Sequence, residues 1–412
     1  MDSERPISVE DIPIGSQPPS REEAAAGALP GVGRAPVVWI QDDGSVAVPR
    51  RFKFQWPYIT EGLPGVGGRL RATPAHFVVE EVPLYPPLGQ GQHLYVNITK
   101  EGMTTREVQQ RLARLFQVSN RAVGFAGMKD KYARTTQTLS IQVGHVPPEF
   151  PEEAAQRIAR ELPVTVNWAR LHRNKLKKGH LLGNRFTIVV SQLDLSPDEA
   201  MARAQAIVQV LRARGLPNYY GPQRLGLDGD NVRRGLELLL GRRRLKDRWL
   251  RSLLLASVQS YLCNRYLAYR LEMGWFDRLL AGDIAKKHAT GGLFEVRDVQ
   301  AEQPRYTAQE ISFTAPIYGP KMWEAQAEAG ELERRVLAES GLSLQELGAA
   351  GLTGTRRLGR LLLEELTVEP HPEGLQVAFF LPKGAFATTV LRELMKVDDK
   401  ELASVAETVN ES

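Results

Sequence analysis

A single cysteine, Cys263, stands in 412 residues. It excludes a disulfide within the chain and a zinc site built on several thiolates. The seven histidines are scattered with no HExxH-like pair, which argues against a metal enzyme. No apolar run approaches the roughly 18 residues of a membrane span. The opening Met1-Asp-Ser-Glu-Arg-Pro6 lacks the basic-then-apolar layout of a secretion signal. There is no GxxxxGK[ST] run, no strand-linked GxGxxG and no GxSxG elbow, so nucleotide-hydrolysing, dinucleotide-binding and serine-hydrolase readings find no support. The expectation is a soluble cytoplasmic protein with no metal, no cofactor and no membrane attachment.

What is present is ordinary in bulk and particular in detail. The length fits roughly two to three domains with a sizeable core. A net charge of +5 permits an anionic partner without demanding one, so the placement of the cations matters more than their total. Residues 1–50 are rich in Gly, Pro, Ser and acidic residues and read as a disordered extension.

From about residue 68 strand and helix signals alternate. Phe77–Val82 and His93–Ile98 read as strands. Thr104–Phe116 reads as a helix with a hydroxyl cap and an apolar face at Val108, Leu112 and Leu115. Further strands fall at Val164–Leu171 and Phe186–Val190, and Ser196-Pro-Asp-Glu199 launches a helix to about Arg214. Helix dominates from Asp228 to about Gly274, with one long run over Trp249–Met273. A strand-containing passage follows over Gly291–Gly319, then a helix over Trp323–Ser340, a strand over Leu375–Leu381 and a closing helix over Ala385–Lys396.

Three stretches carry candidate chemistry. In Gly124-Phe-Ala-Gly-Met-Lys-Asp-Lys-Tyr-Ala-Arg-Thr-Thr-Gln137 a lone carboxylate, Asp130, sits between Lys129 and Lys131 in a Gly-rich turn. Flanking cations favour its ionised form, although Asp in such a turn is commonly only a turn-former. His172-Arg-Asn-Lys-Leu-Lys-Lys-Gly-His180 is a dense basic loop between two strands. By charge alone it is a solvated loop; beside Gly179 and Gly183 its cations Arg173, Lys175, Lys177 and Lys178 also suit a phosphate grip. Gly241-Arg-Arg-Arg-Leu-Lys-Asp-Arg-Trp-Leu-Arg251 is the strongest positive run, and on a helix it would present Arg243 and its neighbours as a stripe; a solvated helix start fits equally well.

The wording of the first stretch closely resembles the signature of the TruD family of tRNA pseudouridine synthases. Further motifs follow in family order. Lys175-Leu-x-x-Gly-x-x-x-Gly-Asn-x-Phe186, Asn218-Tyr-Tyr-Gly-Pro-Gln-Arg-Leu-Gly226 and Phe380–Leu394 are similar to the second, third and closing motifs. Gln259–Asn264, Gly282–Ile284 and Ala315–Gly319 resemble segments of the family's inserted domain. Two departures stand out: Tyr220 and Leu225 replace phenylalanines, and Ala75 and His76 stand where acidic residues are more usual.

The resemblance implies an α+β fold, with a pseudouridine-synthase-like mixed-sheet catalytic domain interrupted by an inserted α/β TRUD domain. Its boundaries are an extension over 1–50, the first part of the catalytic domain over 51–217, the insertion over 218–355, the catalytic completion over 356–396 and a tail over 397–412. The implied activity converts uridine to pseudouridine in tRNA, at position 13 of the D-arm, with Asp130 as the catalytic aspartate.

Arg71 matches a basic residue that pairs with that aspartate, and Asn184 and Phe186 match residues lining the site. Phe77 is core or pocket wall, and Phe186 is either a strand-start core residue or a stacking face for the uracil. Lys129, Lys131, Arg173, Lys175, Lys177, Lys178, Gln223, Arg224 and Arg243 are candidates for tRNA contact, with structural bracing the slightly favoured role for Gln223 and Arg224. No protein partner is implied, and a monomer is expected. A non-catalytic tRNA-binding or RNA-folding protein on the same scaffold is the other reading, because it accounts for the basic stretches without needing Asp130.

Overall fold

The computed structural model describes residue 48, residues 56–398 and residue 402. Nearly all of the 1–50 extension and of the 397–412 tail therefore lies outside the described residues. The chain divides into two units. One takes Ile59–Gln223 and the segment from Leu361 onward; the other takes Arg224–Arg360 with the described residues before Ile59. The chain thus crosses between units at Tyr58/Ile59, at Gln223/Arg224 and at Arg360/Leu361.

The first unit is built on a nine-stranded mixed sheet. Its main path runs Thr367–His371, Gly374–Pro382, Leu181–Ser191, Phe77–Pro83, Arg134–Gln142, His93–Lys100, Thr165–His172. Arg69–Leu70 pairs with the Leu181 strand, and Val123–Phe125 with the Arg134 strand. The only parallel pair among them joins Phe77–Pro83 to Arg134–Gln142.

Period-two alternation sets the inner face. Leu94, Val96 and Ile98 project toward the helices Thr105–Leu115 and Phe150–Glu161, packing with Val108, Leu112, Ala154 and Ile158 in one buried cluster. Thr104 caps the first of these helices by accepting from Glu107 N–H, while Glu107 reaches back to Thr104 N–H, the reciprocal arrangement its sequence calls for. Ser196 accepts from Glu199 N–H at 3.3 Å, but Glu199 turns its carboxylate to Arg203, so that cap is only half made.

The second unit combines the long helix Arg248–Glu272 with an antiparallel sheet ordered Leu293–Glu295, Ile284–Lys287, Ile311–Ile317, Thr355–Leu358. Two desolvated ion pairs fix its interior: Arg270 with Asp283 at 2.8 Å and Arg356 with Glu333 at 2.6 Å. Cys263 lies buried in the long helix, and burial pushes its thiol up to about 12, far from the reactive thiolate range. No helix among the described residues is long and apolar enough to cross a membrane.

Candidate active site

Asp130 sits in the turn between Val123–Phe125 and Arg134–Gln142. The turn is fastened by neighbours of three kinds. Lys129 N–H donates to Thr105 Oγ1 at 2.8 Å, and Thr105 Oγ1 donates to Gln137 Oε1 at 2.8 Å. Gly102 N–H donates to the Lys131 carbonyl at 2.9 Å. Lys100 Nζ donates to the Asp130 carbonyl, also at 2.9 Å.

The Asp130 carboxylate is thereby presented by a rigid turn. Its Oδ1 accepts from Tyr132 N–H at 2.9 Å, and its Oδ2 accepts from Arg71 Nη2. The side chains of Arg71 and Asp130 are 13% and 10% exposed, so the pair is sheltered from solvent screening yet still reachable.

Arg71 follows the short strand Arg69–Leu70 with a left-handed backbone, φ 60°. A non-glycine residue holds that conformation at a cost of roughly 1–3 kcal/mol, which marks positions the surrounding structure over-determines. Burial lowers the guanidinium's pKa, while the Asp130 charge and hydrogen bond oppose that shift. The Arg71 guanidinium carbon also lies 4.4 Å from the centre of the Phe77 ring.

From Phe77 an aromatic series continues across the sheet. Phe77 meets Phe186 edge-on at 6.4 Å between centroids, and Phe186 stacks on Phe379 at 5.2 Å with planes 23° apart. Strand register explains the grouping: Val79, Phe186 and Phe379 are opposite one another on three adjacent strands, and Glu81, Asn184 and Leu381 are opposite one another two residues along. These side chains therefore share one face. Phe186 is half-buried rather than fully enclosed.

Two buried polar atoms here lack a hydrogen-bond partner among the described residues: Arg71 Nε and Asn184 Oδ1. Buried groups of this kind are ordinarily satisfied, so both call for one.

The basic loop between Thr165–His172 and Leu181–Ser191 lies against the strand that feeds the Asp130 turn. Gly179 N–H donates to the Ala126 carbonyl at 2.8 Å, and Leu176 N–H to Ser140 Oγ at 3.0 Å. Gly124 permits this approach, because a β-carbon there would sit 2.2 Å from the Leu176 carbonyl oxygen. Arg173, Lys177 and Lys178 are exposed on that loop. Lys175 is half-buried and donates to the Arg121 carbonyl, so it braces the loop. Lys131 is half-exposed, its Nζ 5.9 Å from the Tyr132 ring centre.

Other candidates fall differently. Lys129 is a correction: its Nζ is 2.8 Å from Glu81 Oε2, with side chains 5% and 1% exposed, so it is spent on a buried ion pair and cannot grip phosphate. Gln223 Oε1 accepts from Thr388 Oγ1 at 3.5 Å, a bracing contact. Arg224 is half-buried, its carbonyl accepting from Asn231 Nδ2 at 3.2 Å. The Gly241–Arg251 run is not a helical stripe, since the helix begins only at Arg248; within it Arg243 pairs with Glu237 at 3.4 Å. Among the described residues no group of three or more His, Cys, Asp or Glu side chains is placed to hold a metal ion.

The family model described as tRNA pseudouridine synthase D (TruD) matches residues 54–249 and 243–394. The chain belongs to the tRNA pseudouridine synthase D (TruD) family. A tRNA pseudouridine synthase D of Thermus thermophilus is 46% identical over 344 residues, covering 84% of this chain and 93% of that protein. The protein of the same name from an Anaeromyxobacter species is 43% identical over 348 residues, covering 82% and 96%. Among solved structures, a Methanosarcina mazei protein described as a tRNA pseudouridine synthase D (TruD) has a TM-score of 0.66 at 25% identity, covering 84% of this chain and 97% of that one. The mixed α+β architecture of this TruD family member thus has a crystallographic counterpart.

Sequence reasoning passed over Glu81 and Lys100, and both left a signal. Each occupies an inward position of a strand whose other inward positions are apolar: Glu81 follows Phe77 and Val79, and Lys100 follows Leu94, Val96 and Ile98. A charge that breaks an inward pattern is a buried charge with a partner.

Proposed function

We propose that this chain converts uridine to pseudouridine in tRNA, at position 13 of the D-arm, with Asp130 as the catalytic aspartate. The observation that carries the reading is the Asp130 carboxylate, held by Arg71 and the Tyr132 amide in a fastened turn and joined through Arg71 to a ring series, Phe77, Phe186 and Phe379, in which Phe186 is half-buried. The unit bearing this site is the catalytic domain, and Arg224–Arg360 corresponds to the inserted TRUD domain.

The reaction breaks the N1–C1′ bond, rotates the uracil while it is held, and joins C5 to C1′; the C5 hydrogen leaves as a proton and N1 gains one. No oxidant or energy source is needed, so the protein's contribution is positioning and charge stabilisation. The Asp130 carboxylate serves either as nucleophile at C1′ or as base toward a ribose proton, and Arg71 Nη2, donating to Oδ2, holds it in place in both routes. Phe186 offers a face to the extruded uracil, returning part of the stacking lost from the RNA. Asn184 Oδ1 is an acceptor suited to a base N–H or a ribose hydroxyl, and Arg71 Nε is a matching donor. Arg173, Lys177 and Lys178 grip phosphate beside the site.

The test is incubation of the protein with tRNA carrying tritium at uridine C5, with no cofactor added. Release of tritium from one uridine per tRNA, mapped to position 13, is expected. Tight binding with no release identifies the non-catalytic tRNA-binding protein instead.

A further inference from the structure

Lys100 closes the His93–Lys100 strand with only 1% of its surface exposed. A buried ammonium ordinarily faces a carboxylate, as Lys129 faces Glu81. Lys100 instead gives its protons to two main-chain carbonyls, Met103 O at 2.5 Å and Asp130 O at 2.9 Å. The second acceptor belongs to the very residue whose carboxylate is the reacting group. With Gly102 N–H on the Lys131 carbonyl and Thr105 Oγ1 under the Lys129 amide, three successive residues of the turn are tied to the segment that follows the strand.

We propose that Lys100 is a positioning residue for the isomerisation: its ammonium fixes the Asp130 peptide and so aims the Asp130 carboxylate at the ribose without touching the substrate. This inference rests on Asp130 being the catalytic aspartate. The charged groups facing Lys100 are Asp130 and Lys129 from the turn and Glu107 from the helix Thr105–Leu115. Burial, with the like charge of Lys129 acting in the same direction, outweighs Asp130 and Glu107 and draws the amine down to about 8.

A charge-assisted hydrogen bond is roughly twice as strong as a neutral one, so the anchor loosens as the ammonium loses its proton. The sign for folding is the reverse. The unfolded chain binds the Lys100 proton more tightly than the folded one, so this group makes stability rise, not fall, as pH climbs from about 8 toward its ordinary value. Activity lost above pH 8 without loss of stability is therefore the signature of positioning.

The experiment compares wild type, Lys100→Met, Lys100→Gln and Asp130→Asn by three readouts: single-turnover rate at saturating tRNA from pH 7 to 9, tRNA affinity, and thermal midpoint. Lys100→Met is expected to lower the rate at pH 7 by roughly 10- to 100-fold, the scale of a small misplacement of a reacting group, with affinity within about threefold. Lys100→Gln, which keeps a donor, falls between. The wild-type rate declines with a midpoint near 8 while its thermal midpoint does not decline with it, and Lys100→Met lacks that limb.

A wild-type rate that is flat over this range overturns the proposal even if both variants fail to fold. So does a folded Lys100→Met with the wild-type rate, or a rate loss matched by a loss of tRNA affinity. Asp130→Asn separates the two claims. An active Asp130→Asn removes the reading beneath the proposal, whereas an inactive Asp130→Asn beside an unimpaired Lys100→Met removes the proposal alone.

Discussion

Phe186 lies stacked on Phe379 with ring centroids 5.2 Å apart, and Phe379 is almost completely buried while Phe186 is not. One ring is foundation and the other presents a face. Phe186→Ala should therefore remove a stacking partner for the extruded base, worth roughly 1–3 kcal/mol, and slow single turnover by roughly 5- to 150-fold. Overall tRNA affinity, dominated by phosphate contacts, should change less. The thermal midpoint is measured alongside, because a fully enclosed Phe would cost roughly 3–5 kcal/mol of stability on truncation. A destabilised variant whose folded fraction turns over normally would return Phe186 to a packing role.

The Glu81–Lys129 pair makes a prediction about folding. Both partners are desolvated, and Glu81 Oε1 also accepts from Thr138 N–H at 3.2 Å. Lys129→Met strands the Glu81 charge and should cost roughly 3–5 kcal/mol in denaturant unfolding. Pairing it with Glu81→Gln should recover most of that loss, since the amide oxygen still accepts from Thr138. A single Lys129→Met variant as stable as wild type would show that the pair is not a structural anchor of the turn.

Salt dependence tests which of the candidate cations contact RNA. Lys177 is exposed on a loop bound to the strand before Asp130, whereas Arg243 is already paired with Glu237. Lys177→Glu should reduce the slope of log affinity against log salt by about 1, and Arg243→Glu should change it less. Identical slopes for Lys177→Glu and wild type would make the 173–178 loop a solvated surface.

Much of the architecture is readable in the chain because it is written in local periods. Phe77–Pro83, His93–Lys100, Pro197–Arg214 and Arg248–Glu272 follow their alternation or caps closely. Thr367–His371 escapes such reading because it is short, holds a proline and alternates weakly; it is an edge strand, where proline is tolerated. The helix near Trp323 begins only at Ala327, and the closing helix only at Ala387.

In the site, the motif wording identifies Asp130, Arg71, Asn184 and Phe186 as candidates. It leaves invisible which basic residue is spent internally. Lys129 and Lys131 are equivalent in sequence, yet one turns inward to Glu81 and the other toward Tyr132, a choice fixed by an acid 48 residues away in the chain. Long-range partners of this kind have no local signal.

The most direct test is the single-turnover release of C5 tritium from tRNA by Asp130→Asn. The substitution keeps the side chain's size and an acceptor for Arg71 while removing the charge. Release is expected to be abolished while tRNA affinity stays within a few fold and the thermal midpoint stays near that of wild type. A folded Asp130→Asn protein that releases tritium at close to the wild-type rate would contradict a catalytic role for Asp130.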